Sequence, residues 1–214
     1  MVEAVGFDLD HTLVDWGPYL TIETWVNEVG NRVLEEELGV TFPPDKWVKI
    51  YREEPPGWEK RIWDALFEEE LKLRKRLLEK EIPKLYEDVI LTLEELKEMG
   101  LLLFIVTDAG TKSALYITRE LGIEDYFTEI RGKDYNKPKS DTISDVLKKY
   151  NIEPRNALYV GDNEWDVWAA KKVGCWSVLV ERGQRLDIKL DYEIECDYKI
   201  NTLHELLRLL RHID

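Results

Sequence analysis

The sequence predicts an α/β fold, a doubly wound Rossmann-like parallel sheet with an α-helical bundle inserted into it, and three observations carry that prediction. From residue 84 onward, short continuous apolar runs alternate with amphipathic segments, the pattern of strands buried on both faces between crossover helices. Several amphipathic segments stop at a glycine, at Gly100, Gly122 and Gly174, where a left-handed residue can close a helix. Three apolar runs end in acidic or hydroxyl residues, and their carboxyl ends are the places where central parallel strands can present polar groups.

The first run, Val2 to Phe7, is the opening strand and ends in Asp8-Leu9-Asp10-His11-Thr12. An extended chain points residues i and i+2 to the same side. Asp8 and Asp10 would therefore repel each other unless a cation, a proton or a substrate intervened. From Val14 to Pro83 the composition turns helical and strand signals are sparse. Thr21 to Leu38 places Ile22, Trp25, Val26, Val29, Val33 and Leu34 at helical spacing and ends at Gly39. Pro43-Pro44 opens a short helix around Asp45 to Tyr51, and Pro55-Pro56-Gly57 breaks the chain. Glu59 to Glu81 is a long charged helix with apolar positions that include Ile62, Trp63, Leu66 and Leu77. These segments predict a helical domain of residues 16–83 inserted into a core of residues 1–15 and 84–214. Trp16, Trp25, Trp47, Trp58 and Trp63 lie in or at the edge of the insertion, where they could fill a core, line a pocket or form an interface. Trp25 and Trp63 sit at apolar helical positions and are expected inside it.

The second part alternates. Helix Val89–Met99 leads to strand Leu101–Val106, which ends in Thr107-Asp108, and helix Lys112–Leu121 leads to a strand around Thr128–Arg131. Helix Ser140–Tyr150 is followed by strand Ala157–Val160, ending in Gly161-Asp162. Helix Trp165–Val173, strand Trp176–Val180, a short strand Tyr198–Ile200 and a terminal helix Leu203–Arg211 complete the core. Such alternation implies right-handed crossovers.

Composition narrows the function. The 214 residues are 44% hydrophobic, and no apolar stretch reaches the ~18–20 residues of a membrane span. The chain enters its first strand without a leader-like segment, so a soluble, cytoplasmic protein without a membrane partner is expected. A net charge of −14 repels nucleic acid. It also repels small anions, so a phosphate site here must supply local positive charge from a metal or an aimed lysine. Cys175 and Cys196 lack the spacing of metal or redox pairs and are expected to be structural. Gln184 is the only glutamine among abundant Glu and Lys, a balance known from proteins of hot environments. A monomer or homodimer is expected.

Four ordered motifs then stand out: Gly6-Phe7-Asp8-Leu9-Asp10-His11-Thr12-Leu13, Ile105-Val106-Thr107-Asp108, Lys137-Pro138, and Gly161-Asp162-Asn163-Glu164-Trp165-Asp166. The connecting Leu121-Gly122-Ile123-Glu124-Asp125-Tyr126-Phe127 reads the same way. In these segments the chain resembles the haloacid dehalogenase superfamily through its whole core. It is similar to phosphatase-type members with a helical cap of the first class, in the manner of the phosphoglycolate phosphatase-like enzymes. The resemblance implies a magnesium-dependent phosphomonoester hydrolase acting on a small phosphorylated metabolite through an aspartyl phosphate. Asp8 is the implied nucleophile. Asp10 is the implied acid and base, a double duty that needs an elevated pKa or a shielded position. Thr107 would donate its hydroxyl to a phosphoryl oxygen, beside Asp108, which stands where the family often has asparagine. Lys137 would neutralise Asp8 and the phosphoryl group. Lys133 and Lys139 compete for that role, and Lys137 is preferred because Pro138 holds it extended. Asp162, with Asp8 and the backbone carbonyl of Asp10, would hold Mg2+. Asp166 would hold a metal-bound water or orient the lysine, with Asn163 in support.

Each residue also has a plain structural role open to it: Thr107 as a helix cap, Asp166 as a first-turn acid, the lysines as solvated loop residues. His11, His204 and His212 receive no role. Candidate substrate selectors are Trp16, Tyr19, Arg52, Trp58 and Arg61, chosen as polar or aromatic residues near cap loops. The runner-up activity is 2-haloacid dehalogenation, whose fourth motif Asn163-x-Trp165-Asp166 resembles. Dehalogenases lack the second aspartate, so Asp10 and Asp162 favour phosphoryl transfer. A phosphomutase would pass the acyl phosphate to a sugar. A response-regulator-like receiver has no insertion after its first strand, and a non-enzymatic cap-mediated binding protein is disfavoured because no motif residue is lost.

Overall fold

The computed structural model describes the chain except residues 53–56, 134, 136, 183–194 and 214, and the side chains of residues 48 and 50–52. The Pro55-Pro56 break, Gln184 and the Arg52 side chain lie outside the described residues. In chain order the elements are β1 (Ala4–Phe7), β2 (Val14–Asp15), α1 (Ile22–Trp25), α2 (Asn31–Leu38), α3 (Pro44–Arg52), α4 (Lys60–Glu79) and β3 (Lys84–Leu85). There follow α5 (Val89–Glu98), β4 (Leu102–Gly110), α6 (Thr111–Glu120), β5 (Glu129–Lys133), α7 (Lys139–Lys149), β6 (Ala157–Gly161), α8 (Glu164–Val173), β7 (Trp176–Val180), β8 (Tyr198–Ile200) and α9 (His204–Leu209).

The predicted α/β fold is present. Six parallel strands form one sheet in the order β5-β4-β1-β6-β7-β8. Ala4, Val5 and Phe7 of β1 are fully buried, because helices cover both sides. Ile143, Val146 and Ala170 of α7 and α8 pack with Phe104 and Tyr159 on one face. Leu93, Leu96, Ile117 and Leu206 of α5, α6 and α9 pack with Val5, Phe7 and Ile105 on the other. The chain leaves β1 towards β4 and returns to its opposite side as β6, so the switch point of the sheet lies at the carboxyl end of β1. Crevices at such points are where open α/β sheets bind ligands. Among the described residues no helix is long and apolar enough to cross a membrane, and Cys175 and Cys196 are free thiols.

Three local features depart from the sequence expectation. First, β2 and β3 pair antiparallel, with Val14 opposite Leu85, and so clamp together the two strands of chain that enter and leave the helical insertion. Two-residue strands have too little length to show a period of two. Second, the helix expected from Thr21 to Leu38 is interrupted by a π-turn at Val26–Gly30. A Cβ on Gly30 would come within 2.9 Å of the rings of Trp25 and Trp47, so a larger residue there would push these tryptophans apart. Third, β4 runs on past Val106 to Gly110, with an irregular register against β5. Thr107 and Asp108 therefore belong to the strand itself.

Candidate active site

The carboxyl ends of β1, β4 and β6 bring Asp8, Thr107, Asp108 and Asp162 to one edge, and the first residue of α7, Lys139, reaches into the middle of them. Its Nζ donates to Asp8 Oδ1 at 2.9 Å and to Asp166 Oδ1 at 2.7 Å, and it lies 3.2 Å from Asp108 Oδ2. Side chains of the first turn of a helix lean back towards its N-terminus, and α7 starts beside the strand ends. Lys137, the lysine expected here, instead pairs with Asp145 on the outer side of α7. The correction is a matter of direction: Pro138 is itself extended at the start of α7, and it is the residue after it, not the one before, that faces the sheet edge. Lys133 is buried at the end of β5 and does not line the cavity formed here.

The charge balance of this group is unusual. Burial pushes the Asp8 carboxyl up to about 7, opposed by Lys139 and reinforced by Asp166 and Asp10. Burial, with Asp166 and Asp8 close by, likewise raises Asp162 well above the usual carboxylate range. Burial alone would lower Lys139, but Asp108, Asp166 and Asp8 hold it well above the ordinary lysine value. One ammonium is thus shared by more carboxylates than it can neutralise.

That surplus fits a divalent cation. Carboxylate oxygens of Asp8, Asp162 and Asp166 lie within 4.8 Å of one another. Asp162 Oδ2 is buried with no hydrogen-bond partner, while its Oδ1 accepts from Asn163 Nδ2 at 3.3 Å and from Thr12 at 3.4 Å. A buried, unsatisfied carboxylate oxygen next to two other carboxylates is a hard-oxygen donor set of the kind magnesium and calcium take. Gly161 makes the cluster possible, since a Cβ there would meet the Asp166 carboxyl at 2.2 Å. Asp166 and Asn163 also form a capping box at the start of α8, with Trp165 N donating to Asn163 Oδ1 at 2.9 Å and Asn163 N to Asp166 Oδ2 at 3.3 Å. Their structural and site roles coincide.

The carboxylate of Asp10 stands apart from this cluster. It accepts a two-pronged pair of bonds from Arg74 of α4, at 2.7 and 2.5 Å, and a third from Trp16 Nε1 at 2.8 Å. Although burial acts to raise its pKa, Arg74 outweighs it and holds the carboxyl below the usual range. Of the two conditions expected for its double duty, an elevated pKa or a shielded position, the elevated pKa is found on Asp8 instead. Arg74 Nε donates in turn to Glu70 Oε1 at 2.8 Å, and both Glu70 oxygens accept from Gly110 N of β4 at 3.3 Å. Glu70 and Arg74 are almost fully buried. In the sequence Arg74 stands among Lys72, Lys75 and Arg76, which makes it look like one more surface charge. The available signal is their phase: Leu66, Glu70, Leu73, Arg74 and Leu77 share the buried face of α4, and an acid–base pair on an apolar stripe is seldom a solvated one.

Thr107 is buried, its Oγ1 accepting from Ala109 N at 3.3 Å. Asp8, Thr107, Asp108, Lys139, Asp162 and Asn163 line one side of a cavity of about 130 Å3. The candidate selectors are elsewhere. Trp16 is buried against Asp10, Tyr19 is exposed, Trp58 packs between Trp47 and Trp63, and Arg61 pairs with Glu37 and Glu59 at the surface. The opposite wall is made by Leu20, Ile22, Trp25, Val26 and Trp47. Trp63 is fully buried as expected, but Trp25 faces the cavity. The expected selectors lie near loops, whereas the π-turned helix carries much of the wall.

Acidic strand tips gathered around one lysine at the switch point of a doubly wound sheet, beneath the helices that follow β1, are laid out as an enzyme site. The chain belongs to the haloacid dehalogenase-like hydrolases, whose family model matches residues 5–180. It is 28% identical to a phosphoglycolate phosphatase of Haemophilus influenzae, over 96% of this chain and 97% of that one. It is 26% identical to a glyceraldehyde 3-phosphate phosphatase of Methanocaldococcus jannaschii, over 100% and 99%. The crystal structure of a phosphatase of this superfamily from Thermococcus onnurineus is similar at a TM-score of 0.65 and 28% identity, covering 98% of each chain. A solved L-2-haloacid dehalogenase superposes equally well, with a TM-score of 0.66 at 16% identity over 98% of this chain and 99% of that one. The fold by itself therefore does not separate the two chemistries.

Proposed function

We propose that the protein is a magnesium-dependent phosphomonoester hydrolase that acts on a small phosphorylated metabolite through an aspartyl phosphate. The observation that carries this reading is the unsatisfied, buried Asp162 oxygen beside Asp8 and Asp166. Displacing halide from carbon needs no cation, whereas a phosphoryl group entering a protein of net charge −14 needs positive charge that Lys139 alone does not supply. The names borne by the two curated relatives support the same side of the choice.

Asp8 and Asp162 would hold the ion together with the backbone carbonyl of Asp10, and Asp166 would steady this group through Lys139. When bound, magnesium supplies charge neutralisation for the phosphoryl oxygens. The Asp8 carboxylate attacks phosphorus, the bond to the alcohol oxygen breaks, and water then cleaves the acyl phosphate to regenerate Asp8. Thr107 donates its hydroxyl to a phosphoryl oxygen, and Lys139 offsets charge that accumulates during transfer. Asp10 protonates the departing alcohol and later takes the proton of the attacking water. The fork of Arg74 must release Asp10 before that carboxyl can carry a proton, which couples the acid step to movement of α4. The helical insertion acts as a cap that excludes water once closed.

The test is turnover of phosphorylated metabolites with magnesium and after chelation, beside a 2-haloacid. Phosphate release that chelation abolishes, and a loss of a thousandfold or more in Asp8→Asn (the order expected for removing a nucleophile), are the expected results. Chloride release without metal would assign the chain to dehalogenation.

A further inference from the structure

The turn that follows β1 and carries Asp8 and Asp10 is braced by a residue outside the reacting group. The chain doubles back there: Leu13 N and Val14 N both donate to Leu9 O at 3.0 Å, His11 N donates to Val14 O at 2.8 Å, and Tyr86 N donates to Leu13 O at 3.2 Å. The carbonyl of Thr12 in this turn is taken by Arg182, two residues past the end of β7, whose Nη2 and Nε donate to it at 3.0 and 3.3 Å. The same guanidinium forks onto Asp88 and lies 4.1 Å over the Tyr86 ring, and Asp88 accepts from Leu203 N. One side chain, over nine-tenths buried, thereby joins the turn after β1, the end of β7, the residue before α5 and the approach to α9.

What this brace governs is Asp162. Thr12 is fully buried, and its Oγ1 donates at 3.4 Å to Asp162 Oδ1, the oxygen that also accepts from Asn163 Nδ2 at 3.3 Å. A carboxylate turns about a single bond, so two donors on Oδ1 decide where Oδ2 points. Oδ2 is the buried oxygen with no hydrogen-bond partner, in the cluster with Asp8 and Asp166. The backbone carbonyl of Asp10 belongs to the same turn, two residues before Thr12. Groups that orient the ligands of a metal without touching it commonly account for roughly ten- to a hundredfold of its affinity.

Resting on the phosphatase reading above, we propose that Arg182 and Thr12 are positioning residues for magnesium. Arg182 fixes the turn through the Thr12 carbonyl, and the Thr12 hydroxyl passes that order on to Asp162. Neither touches the substrate or the ion. Arginine suits the task because its planar fork serves a carboxylate and a carbonyl together. Asp88 neutralises its charge, so the brace orders an acidic site without adding net charge to it.

Calorimetric titration with magnesium chloride tests this on the parent, Arg182→Met, Thr12→Val, their double variant and Asp88→Asn, each with its denaturation midpoint. Arg182→Met and Thr12→Val should each weaken magnesium binding by about ten- to a hundredfold. The loss in the double variant should be smaller than the product of the two, because both act along one path. Asp88→Asn leaves the Thr12 carbonyl its donor, so it should lower the midpoint and keep the magnesium affinity of the parent. Thr12→Val removes only a hydroxyl, so the test stands even where Arg182→Met does not fold. Parental magnesium affinity in Thr12→Val or in folded Arg182→Met, or losses that multiply in the double variant, would overturn the proposal and leave the phosphatase reading intact. A parent that binds no magnesium would overturn both.

Discussion

Two buried cations face the same cavity, one at a strand edge and one from the helices inserted after β1, and they hold their carboxylates in different ways. Lys139 belongs to the core and serves three carboxylates as a compact point charge, each held on a different strand or helix. Arg74 belongs to the insertion and serves two carboxylates through the planar fork of its guanidinium, with Asp10 in one grip and Glu70 in the other. An ammonium can move among several acceptors as charge develops, whereas a guanidinium fixes geometry. The core cation is suited to following a reaction. The cation of the insertion is suited to registering that the helices have docked, because it ties α4 to both β1's tip and, through Glu70, the end of β4.

The sharpest way to break that division is to exchange the lysines. Lys139→Met should lower kcat by roughly a hundred- to a thousandfold, as removal of a preorganised charge does, while Lys137→Met should change it by less than about twofold, since a partly exposed surface pair contributes little. Steady-state kinetics decides, and an equal loss in both variants would mean that α7 shifts to present either lysine. Next in size is the docking pair. Arg74→Met strands Asp10 and Glu70 in the interior and should cost about 3–5 kcal/mol of stability by chemical denaturation. The double variant Arg74→Met with Glu70→Gln should recover part of it. Full stability in Arg74→Met would remove the docking role assigned to it.

The smallest effect concerns a second arginine–carboxylate pair. Asp88, at the start of α5, is gripped by both prongs of Arg182 at 2.7 and 2.8 Å and accepts from Leu203 N at 2.8 Å. Burial acts to raise its pKa, but these bonds outweigh it and hold the carboxyl below the ordinary value of 3.8. A depressed pKa stabilises the fold wherever the unfolded chain's aspartate is also ionised, so the contribution is complete above that value and fades as pH falls below it. Asp88→Asn should therefore be less stable than the parent at pH 7, with the gap closing in acid. A pH series of denaturation midpoints would show a constant gap if Arg182 contributes through packing alone.

What could be read in the sequence was whatever is local. The run Val2 to Phe7, its Asp8-x-Asp10 tip and Gly161-Asp162 carry their strand period and their polar ends within a few residues, so β1, β4 and β6 and the acids on them were legible. The capping box of Asn163 and Asp166 lies in a span of four residues. The helical character of the described residues between β1 and β4 was equally plain. The choice between Lys137 and Lys139 was not, because it rests on where α7 begins relative to the sheet edge and on which way its first side chain leans. The partner of Asp10 was also hidden: Arg74 is 64 residues away in the chain, and nothing near either residue announces the other.

The sequence by itself thus determined the strand and helix order of the main sheet, its doubly wound character and the identity of the acids at its carboxyl edge, because periodicity and strand-end polarity are properties of short segments. Only the tertiary structure decided which lysine neutralises Asp8, which helix restrains Asp10 and which apolar side chains close the cavity. Those choices depend on directions and distances between elements far apart in the chain, and a single buried charge or unpaired oxygen is enough to tip them.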